Sequence, residues 1–585
     1  MKMKPYNFLL VNYSGSPDYM EYLYVDNGLA YLAGLLTQQG HGCEVMDYMT
    51  LGTSERLFPY EYAEKSDVLR QIAMNQIVEK GTIFEDLLCE IREHESLIDV
   101  RNRRVAQEIV GEIRDKIIAT DAKAVGFKLW SQPSLKDTLY IAKSIKEMFP
   151  DVVLFAGGAH MDYFLEKAYA DHLRGIFDFS VYSEGEPALE KLGEYVDGKI
   201  GLESIPNIIY EKDGQIMRSS DIRKMGLPLD YNMNFDPNVY PAVASLDEKV
   251  KLIPIENTRG CNFNCGFCIH PIKSGRYREK TLDSFFDEMY ALNEKYGFIN
   301  FYACGSNTSH ENCISILQKM YNRGNDLVLS FFQSTRDFDF NNIGLLERAN
   351  VGFFWIGIET ASSQLSREII HNGKDISKSE AVCLALNDIG VRHYDSYIFP
   401  MPGNDFMKAQ ETLDLIHRIN AEWVVLYPPL LQPRTAWGEK GNDFIQFVDK
   451  EGYIRASMFG IEEYENKVLP PILTNRTLGE AVSINGKTYR DIFCEYLQFR
   501  HSYDRNNLVS AHNYHPKKLD LTKDMNVFYT QHDEMTAAIM EALKTGNFKG
   551  ARSALAKYNE ICTAGSIKKV HGIMMRGNNT LCELL

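Results

Sequence analysis

Cys261, Cys265 and Cys268 are the residues whose type and spacing point most directly to chemistry. Residues 258–268 read TRGCNFNCGFC, a C-x3-C-x2-C triplet. With eleven cysteines in 585 residues, that triplet is expected by chance about 0.004 times per chain. Thiolates hold iron–sulfur clusters, and four of them fill the iron sites of a [4Fe–4S] cubane. Three thiolates with no fourth nearby leave one iron open to chelate a small molecule, much as a catalytic zinc keeps an open position. A zinc site is the competing reading. It would need a fourth Cys or His, and His270 lies two residues on. Structural zinc ligands rarely take this spacing on a loop that follows a strand. The other eight cysteines are scattered singly and read as small buried hydrophobes.

The elements that must position this triplet are legible as alternations. Residues 7–12 (NFLLVN) suit a buried parallel strand, 28–39 have helical apolar spacing, and 43–47, 124–128 and 151–155 return to strand,. An amphipathic helix is expected at 135–148. Strands alternating with helices imply a doubly wound, Rossmann-like parallel sheet over residues 1–200. Charged, mostly helical sequence at about 49–120 reads as an insertion. Residues 201–249 read as a linker containing a small hairpin around Asp213 and Gly214,. A second alternation fills 250–440. Strands are expected at 252–256, 298–303, 327–332, 353–358, 392–398 and 423–427, with helices at 282–295, 311–322, 343–349, 378–388 and 406–419. Six β/α units in series predict a partial (β/α)6 barrel, whose reactive loops lie beyond the carboxyl ends of the strands. Residues 441–585 are polar and mostly helical. They are expected to cap the barrel and shape a substrate pocket, starting from the segment YPPLLQP at 427–433,.

Composition narrows the class. Apolar residues make up 45% and charged residues 24%, as in ordinary globular chains. Lys plus Arg number 63 against 79 Asp plus Glu, so a nucleic-acid partner is not expected. The first residues carry too short an apolar run for a signal peptide, and no run of about 18 apolar residues occurs anywhere. The expectation is a soluble, cytoplasmic protein with no membrane partner and reduced cysteines.

A C-x3-C-x2-C loop after the first of six β/α units resembles the radical-SAM superfamily. Phe267, just before the third cysteine, matches that family's aromatic position near the adenine. The resemblance implies a [4Fe–4S] cluster on Cys261, Cys265 and Cys268. Its open iron would bind the amino and carboxylate groups of S-adenosyl-L-methionine (SAM), and reductive cleavage would give a 5′-deoxyadenosyl radical. It also implies an external electron donor such as a flavodoxin or ferredoxin. Other strand ends fit. ACGSNT at 303–308 falls where the family contacts the methionine amino group, here through Gly305 and Ser306, although the usual acidic residue is missing. TRD at 335–337 supplies Arg336. GIETAS at 357–362 resembles a G-I-E-S-G segment of the cobalamin-binding radical-SAM group and supplies Glu359. IFPMPG at 398–403 resembles F-x-x-G-x-P-G-E, with Asn404 and Asp405 replacing the acid. Arg336 and Glu359 are assigned to SAM contacts; the plainer alternative is salt bridging at the barrel mouth. Cys304, at a strand end, is a candidate for proton or hydrogen transfer, with a small buried residue as the alternative.

Four N-terminal segments resemble the cobalamin-binding domain of the same group: GLAYLAGLLTQQGH at 28–41, GFKLWS at 126–131, FAGGAH at 155–160 and YSEGE at 182–186. Small residues at strand ends let backbone approach a flat macrocycle closely. By this resemblance Trp130, Ser131, Gln132, Gly157, Gly158, Tyr182, Glu184, Gly185 and Glu186 line a cobalamin site. The alternative for the aromatic residues is simple packing. A D-x-H-x-x-G motif, which would supply a cobalt ligand, is absent from the loop YSGSPDYM at 13–20. The implied activity is SAM-dependent methylation of an unactivated carbon or phosphorus in a small-molecule or peptide substrate. A cobalamin-dependent cyclase, ring-contracting or other rearrangement enzyme is the alternative, and a non-enzymatic cobalamin or redox sensor is the alternative of another class. Methylthio transfer would want a further N-terminal cysteine cluster, and only Cys43 and Cys89 lie there.

Overall fold

The computed structural model describes residues 5–13, 15, 23–57, 60–130, 135–221, 232–324, 327–398, 406–421, 423–427, 434–439, 445–447, 482–484, 487–488, 491, 494, 534–539, 541–542 and 545–563. Two sheets, one mixed and one parallel, carry the described core.

The first sheet contains β1 (Asn7–Asn12), β2 (Gly42–Asp47), β3 (Ala124–Lys128), β4 (Val153–Gly157) and β5 (Phe179–Val181), followed by the antiparallel pair β6 (Ile208–Lys212) and β7 (Gln215–Arg218). Their spatial order is β2-β1-β3-β4-β5-β6-β7. The chain reverses its winding direction between β1 and β3, and in such sheets ligands bind at the carboxyl ends beside that switch point. Asp47, Asn12, Lys128 and Gly157 lie in register across four strand ends there. Helix α1 (Asn27–Gln38) begins because the Asp26 carboxylate accepts from the Leu29 N–H at 2.9 Å, an N-cap that replaces a missing intrahelical partner.

Between β2 and β3 run α2 (Leu51–Leu57), α3 (Tyr60–Lys80) and α4 (Glu85–Thr120). The expected insertion at 49–120 is therefore helical, but its last four turns are not extraneous. Val105, Ile109, Ile113 and Ile117 of α4 are buried in one core with Leu9, Val11 and Val125 of the sheet. A parallel crossover from β2 over β1 to β3 needs a covering helix, and α4 supplies it; α5 (Leu135–Met148) follows β3. The expected linker also resolves differently. Its hairpin forms β6 and β7 of the first sheet, and residues 232–249 form a strap that buries Met233, Phe235, Tyr240, Val243 and Lys249. Gly34 of α1 lets that strap cross, since a Cβ there would sit 1.9 Å from the Asn232 carbonyl oxygen.

The second sheet has β8 (Ile253–Ile255), β11 (Asn300–Thr308), β12 (Val328–Gln333), β13 (Val351–Glu359), β14 (His393–Ile398) and β15 (Trp423–Tyr427), all parallel, in the order β15-β14-β13-β12-β11-β8. Each strand neighbours its predecessor in the series, so the sheet winds in one direction, as an open barrel does. Helices Leu282–Tyr296, His310–Arg323 and Ile376–Asp388 connect the strands and start at side-chain caps from Thr281, Ser309 and Asp375.

Helix Phe548–Ile561 covers the amino ends of the barrel strands. Asn559 Nδ2 donates to the Leu246 and Lys249 carbonyls at 2.7 Å each, and its Oδ1 accepts from the Lys251 N–H at 2.8 Å. Asn300 Nδ2 donates to the Tyr558 hydroxyl at 2.9 Å. The 428–433 segment and nearly all of 441–533 lie outside the described residues. No described helix is long and apolar enough to cross a membrane.

Candidate metal centre and active site

The triplet sits on a loop tied shut at its base. Just after β8, the two-residue strands β9 (Thr258–Arg259) and β10 (Arg278–Glu279) pair antiparallel. Gly260 must turn there with φ +74, and a Cβ would lie 2.3 Å from the Arg276 carbonyl oxygen. The loop packs on Trp437, which is fully buried. Trp437 N–H donates to the Gly266 carbonyl at 2.9 Å, and its indole N–H donates to the Ile369 carbonyl at 3.0 Å. The rings of Phe267 and Trp437 meet edge to face at 5.6 Å, so Phe267 is already held from one side.

The three thiols face one another closely enough for each charge to bear on the next. Burial pushes Cys265 up to about 12 and Cys268 up to about 11 and raises Cys261, with neighbouring thiols adding to the rise at Cys265 and Cys268. Three half-buried thiols of this kind are suited to a group that is itself strongly positive and takes the place of their protons. Among the described residues, Cys383, His393 and Asp395 also bring their ligand atoms within 4.8 Å of one another. His270 Nδ1 lies 3.2 Å from the Ser306 hydroxyl. The Cys383 group is a hydrogen-bonded core contact: His393 Nδ1 is 2.8 Å from Asp395 and its Nε2 is 3.1 Å from Asn387 Oδ1.

Other barrel residues gather around the loop. Arg336 is exposed, and its guanidinium stacks 5.4 Å from the centroid of Phe263. Glu359 ends β13 in the left-handed region with φ 72, at a register shift from Gly357. Such strain in a non-glycine residue persists only when its surroundings enforce it. Burial raises the Glu359 carboxyl, and Lys374 opposes this. The charge of Glu359 in turn reaches Cys265 and Cys268. Gly305 has a packing reason for its identity: a Cβ would lie 1.8 Å from the Thr258 hydroxyl oxygen. Cys304 faces the first domain, its sulfur accepting from Asn27 Nδ2 at 3.1 Å. Burial, then the neighbouring Glu256, pushes this thiol up.

In the first domain the strand-end residues form one polar net. Trp130 donates to Asn12 Oδ1 at 2.9 Å, and the Lys128 ammonium lies 4.2 Å over its ring. Lys128 also bonds Asp26. Burial alone would raise the Asp26 carboxyl, but Lys128 outweighs it and holds it below the usual range. Asn12 donates to Asp47, which also accepts from Tyr240 and Lys249 at 2.5 Å each. Gly157 ends β4, and Gly158 has φ +108 with its Cβ position 2.9 Å from the Leu129 carbonyl oxygen. Ser131 and Gln132 lie outside the described residues.

Three of the expected cobalamin contacts have partners within the protein. Tyr182 is 2% exposed, donates to the Ser219 carbonyl and lies under Arg218, so it belongs to the domain's own packing. Glu184 and Glu186 are buried and turned toward the barrel: Glu186 pairs with Arg259, and Glu184 with Arg278 and Arg259. Gly185 between them packs against Leu32 of α1, 3.3 Å from its Cβ position. Lys374, Trp437, Arg259 and Arg278 escaped the sequence reading because nothing local marks them. The Asp26 cap did carry a signal, an acidic residue immediately ahead of an apolar helical period.

The fold and the loop define an α/β protein that sets a three-cysteine loop against the carboxyl edge of a doubly wound domain. Residues 255–416 match the family described as the Radical SAM superfamily, and the chain therefore carries a radical-SAM domain. It is 21% identical over 299 residues to an uncharacterised methyltransferase of Pyrococcus horikoshii, covering 50% of this chain and 63% of that protein. It is 25% identical over 188 residues to the cobalamin-dependent radical SAM methyltransferase TokK of Streptomyces tokunonensis, covering 31% of this chain and 26% of that one. The chain thus spans less than two thirds of these curated relatives. Among solved structures, the radical SAM methyltransferase TsrM of Kitasatospora setae, solved with cobalamin and a [4Fe–4S] cluster, superimposes with a TM-score of 0.62. That match has 14% identity and covers 95% of this chain and 99% of that one.

Proposed function

We propose that this chain is a cobalamin-dependent radical-SAM methyltransferase acting on a small-molecule or peptide substrate. The observation that carries the reading is the seam itself: the ligand edge of the first sheet and the three-thiolate loop are clamped to one another through Arg259 and Glu186. A methyl carrier at one and SAM at the other would then meet in a shared space. When bound, the cluster supplies the electron that cleaves SAM, and cobalamin carries the methyl group.

The chain's own residues do the holding. Cys261, Cys265 and Cys268 would hold the cluster, with Phe267 against the adenine. Arg336 and Glu359 suit the charged ends of SAM, since each strand end brings one charge to the mouth. Trp130, Gly157 and Gly158 suit the corrin: Gly158 brings backbone close, and Trp130 offers a ring fixed by Asn12. Cys304, in the seam, is suited to proton or hydrogen transfer. An external one-electron donor is required.

The test uses anaerobically reconstituted full-length protein, cobalamin and SAM labelled in its methyl group. Label on the cobalamin, then a product heavier by one methyl group, is expected. An unlabelled cobalamin would defeat the methyltransferase reading. A product of unchanged carbon count would favour rearrangement.

A further inference from the structure

We infer that the inner face of the barrel carries a stacking platform for a flat, uncharged aromatic or conjugated ring, built by Tyr302, Phe332 and Trp355 over a floor of Phe353 and Tyr394. The inference deepens the reading above, on which it rests for the place of SAM, by naming the class of substrate.

The two faces of the second sheet are told apart by what packs on them. Phe301 of β11, Phe331 of β12 and Phe354 of β13 share one core with Met289, Leu317 and Leu386 of the surrounding helices. Successive residues of a strand point to opposite faces, so Tyr302, Phe332, Phe353 and Trp355 point the other way, into the barrel. Tyr394 of β14 is the register partner of Trp355, as Phe332 is on the other side.

The five rings form a chain. Tyr302 stacks on Phe353 with centroids 5.7 Å apart, and Phe353 meets Tyr394 at 4.5 Å. Tyr394 meets Trp355 edge to face at 6.1 Å, and Trp355 lies nearly parallel to Phe332, at 12° and 6.2 Å. Phe353 and Tyr394 are buried in a core shared with Tyr558 and Cys562, which closes the bottom. Tyr302, Phe332 and Trp355 stay partly exposed. Cys304 follows Tyr302 by two residues, and Gly357 follows Trp355 by two. Residues two apart share a face, so the platform lies directly below the strand ends assigned to SAM.

Ring surface left partly open inside a barrel forgoes burial that a covering ligand restores. Shape then selects among apolar ligands. Aromatic rings have negative faces and positive edges, so a flat ring gains from offset stacking and edge contacts beyond the area it buries. A saturated ring of the same skeleton gains area alone. The five side chains are uncharged and offer no counter-ion to a charged ring.

The test uses anaerobically reconstituted full-length protein and calorimetric titration with two probes, naphthol and its saturated counterpart decahydronaphthol. Wild type is compared with Trp355→Leu, Phe332→Leu and Trp355→Phe, and SAM affinity and iron content are measured on each. Wild type is expected to bind naphthol more tightly than decahydronaphthol. Both leucine variants should weaken naphthol about three- to tenfold, with Trp355→Phe close to wild type and SAM affinity and iron unchanged. Equal affinity for the two probes, no naphthol binding, or unchanged naphthol affinity in both leucine variants would overturn the inference. So would a loss of SAM affinity in step with naphthol, since the rings would then serve the adenine. Probe selectivity of wild type decides the matter even where a leucine variant does not fold. Naphthol bound at these rings in a protein that passes no methyl label to cobalamin would keep the platform and remove the methyltransferase reading.

Discussion

Arg259, two residues before the first cluster cysteine, reaches across the seam between the two sheets to Glu186, which follows β5 in the first domain. The same guanidinium bonds Glu256 at 2.6 Å and lies 3.4 Å from Glu184. One arginine thus ties the end of the first barrel strand, the base of the cysteine loop and the ligand edge of the other domain. Glu186→Ala is expected to cost about 1–3 kcal/mol, since Arg259 keeps two of its carboxylate partners. Denaturant unfolding of the full-length protein measures this. A change below about 0.5 kcal/mol would mean that the seam does not depend on the pair.

Acid should loosen both ends of this arrangement. Burial works to raise the Asp26 and Glu186 carboxyls, yet Lys128 and Arg259 hold them below their ordinary values. A carboxyl lowered on folding adds stability that is present above its unfolded value, about 4, and is lost as pH falls through the folded value. Urea midpoints measured from neutral pH down to about pH 3 should fall more steeply in wild type than in Lys128→Met. That variant starts lower and loses the Asp26 contribution. Parallel curves would exclude the assignment.

Gly305 separates packing from ligand contact. Its Cβ position collides with the Thr258 hydroxyl oxygen at 1.8 Å and the Thr258 carbonyl oxygen at 2.8 Å. Gly305→Ala should destabilise the protein by about 1–3 kcal/mol and lower iron incorporation by displacing β9. Unchanged melting with weakened SAM binding would show that the residue acts on the ligand instead.

Replacing Cys261, Cys265 or Cys268 by Ala should each abolish most bound iron and sulfide, while Cys304→Ala should keep both. Metal analysis of the four variants after anaerobic reconstitution decides this. Zinc at one equivalent, unaffected by added iron and sulfide, would revive the tetrahedral alternative.

Asn559 makes three hydrogen bonds that hold the C-terminal helix beneath the barrel. Asn559→Ala leaves buried backbone groups without partners and should cost at least about 2 kcal/mol. Thermal melting of the full-length chain would show it, and an unshifted transition would count against the helix as a structural plug.

What the amino-acid order determined by itself was local or periodic. The C-x3-C-x2-C spacing defined a cluster loop because three thiolates within eight residues constrain their own geometry. Apolar periods located β1, α5 and the six barrel strands, most of them to within a few residues, because burial on one face repeats along the chain. Tertiary structure decided everything that depends on distant partners. Nothing local to Glu184 and Glu186 shows that their partners are Arg278 and Arg259, which come from 94 and 73 residues away. The last turns of α4 read as insertion until the β2-β1-β3 order required a crossover there. Lys374 and Trp437 carry no pattern at all; only the fold brings one to the Gly357 carbonyl and the other beneath Gly266. Charge pairing and close packing act through space, and a single sequence records neither the distance nor the partner.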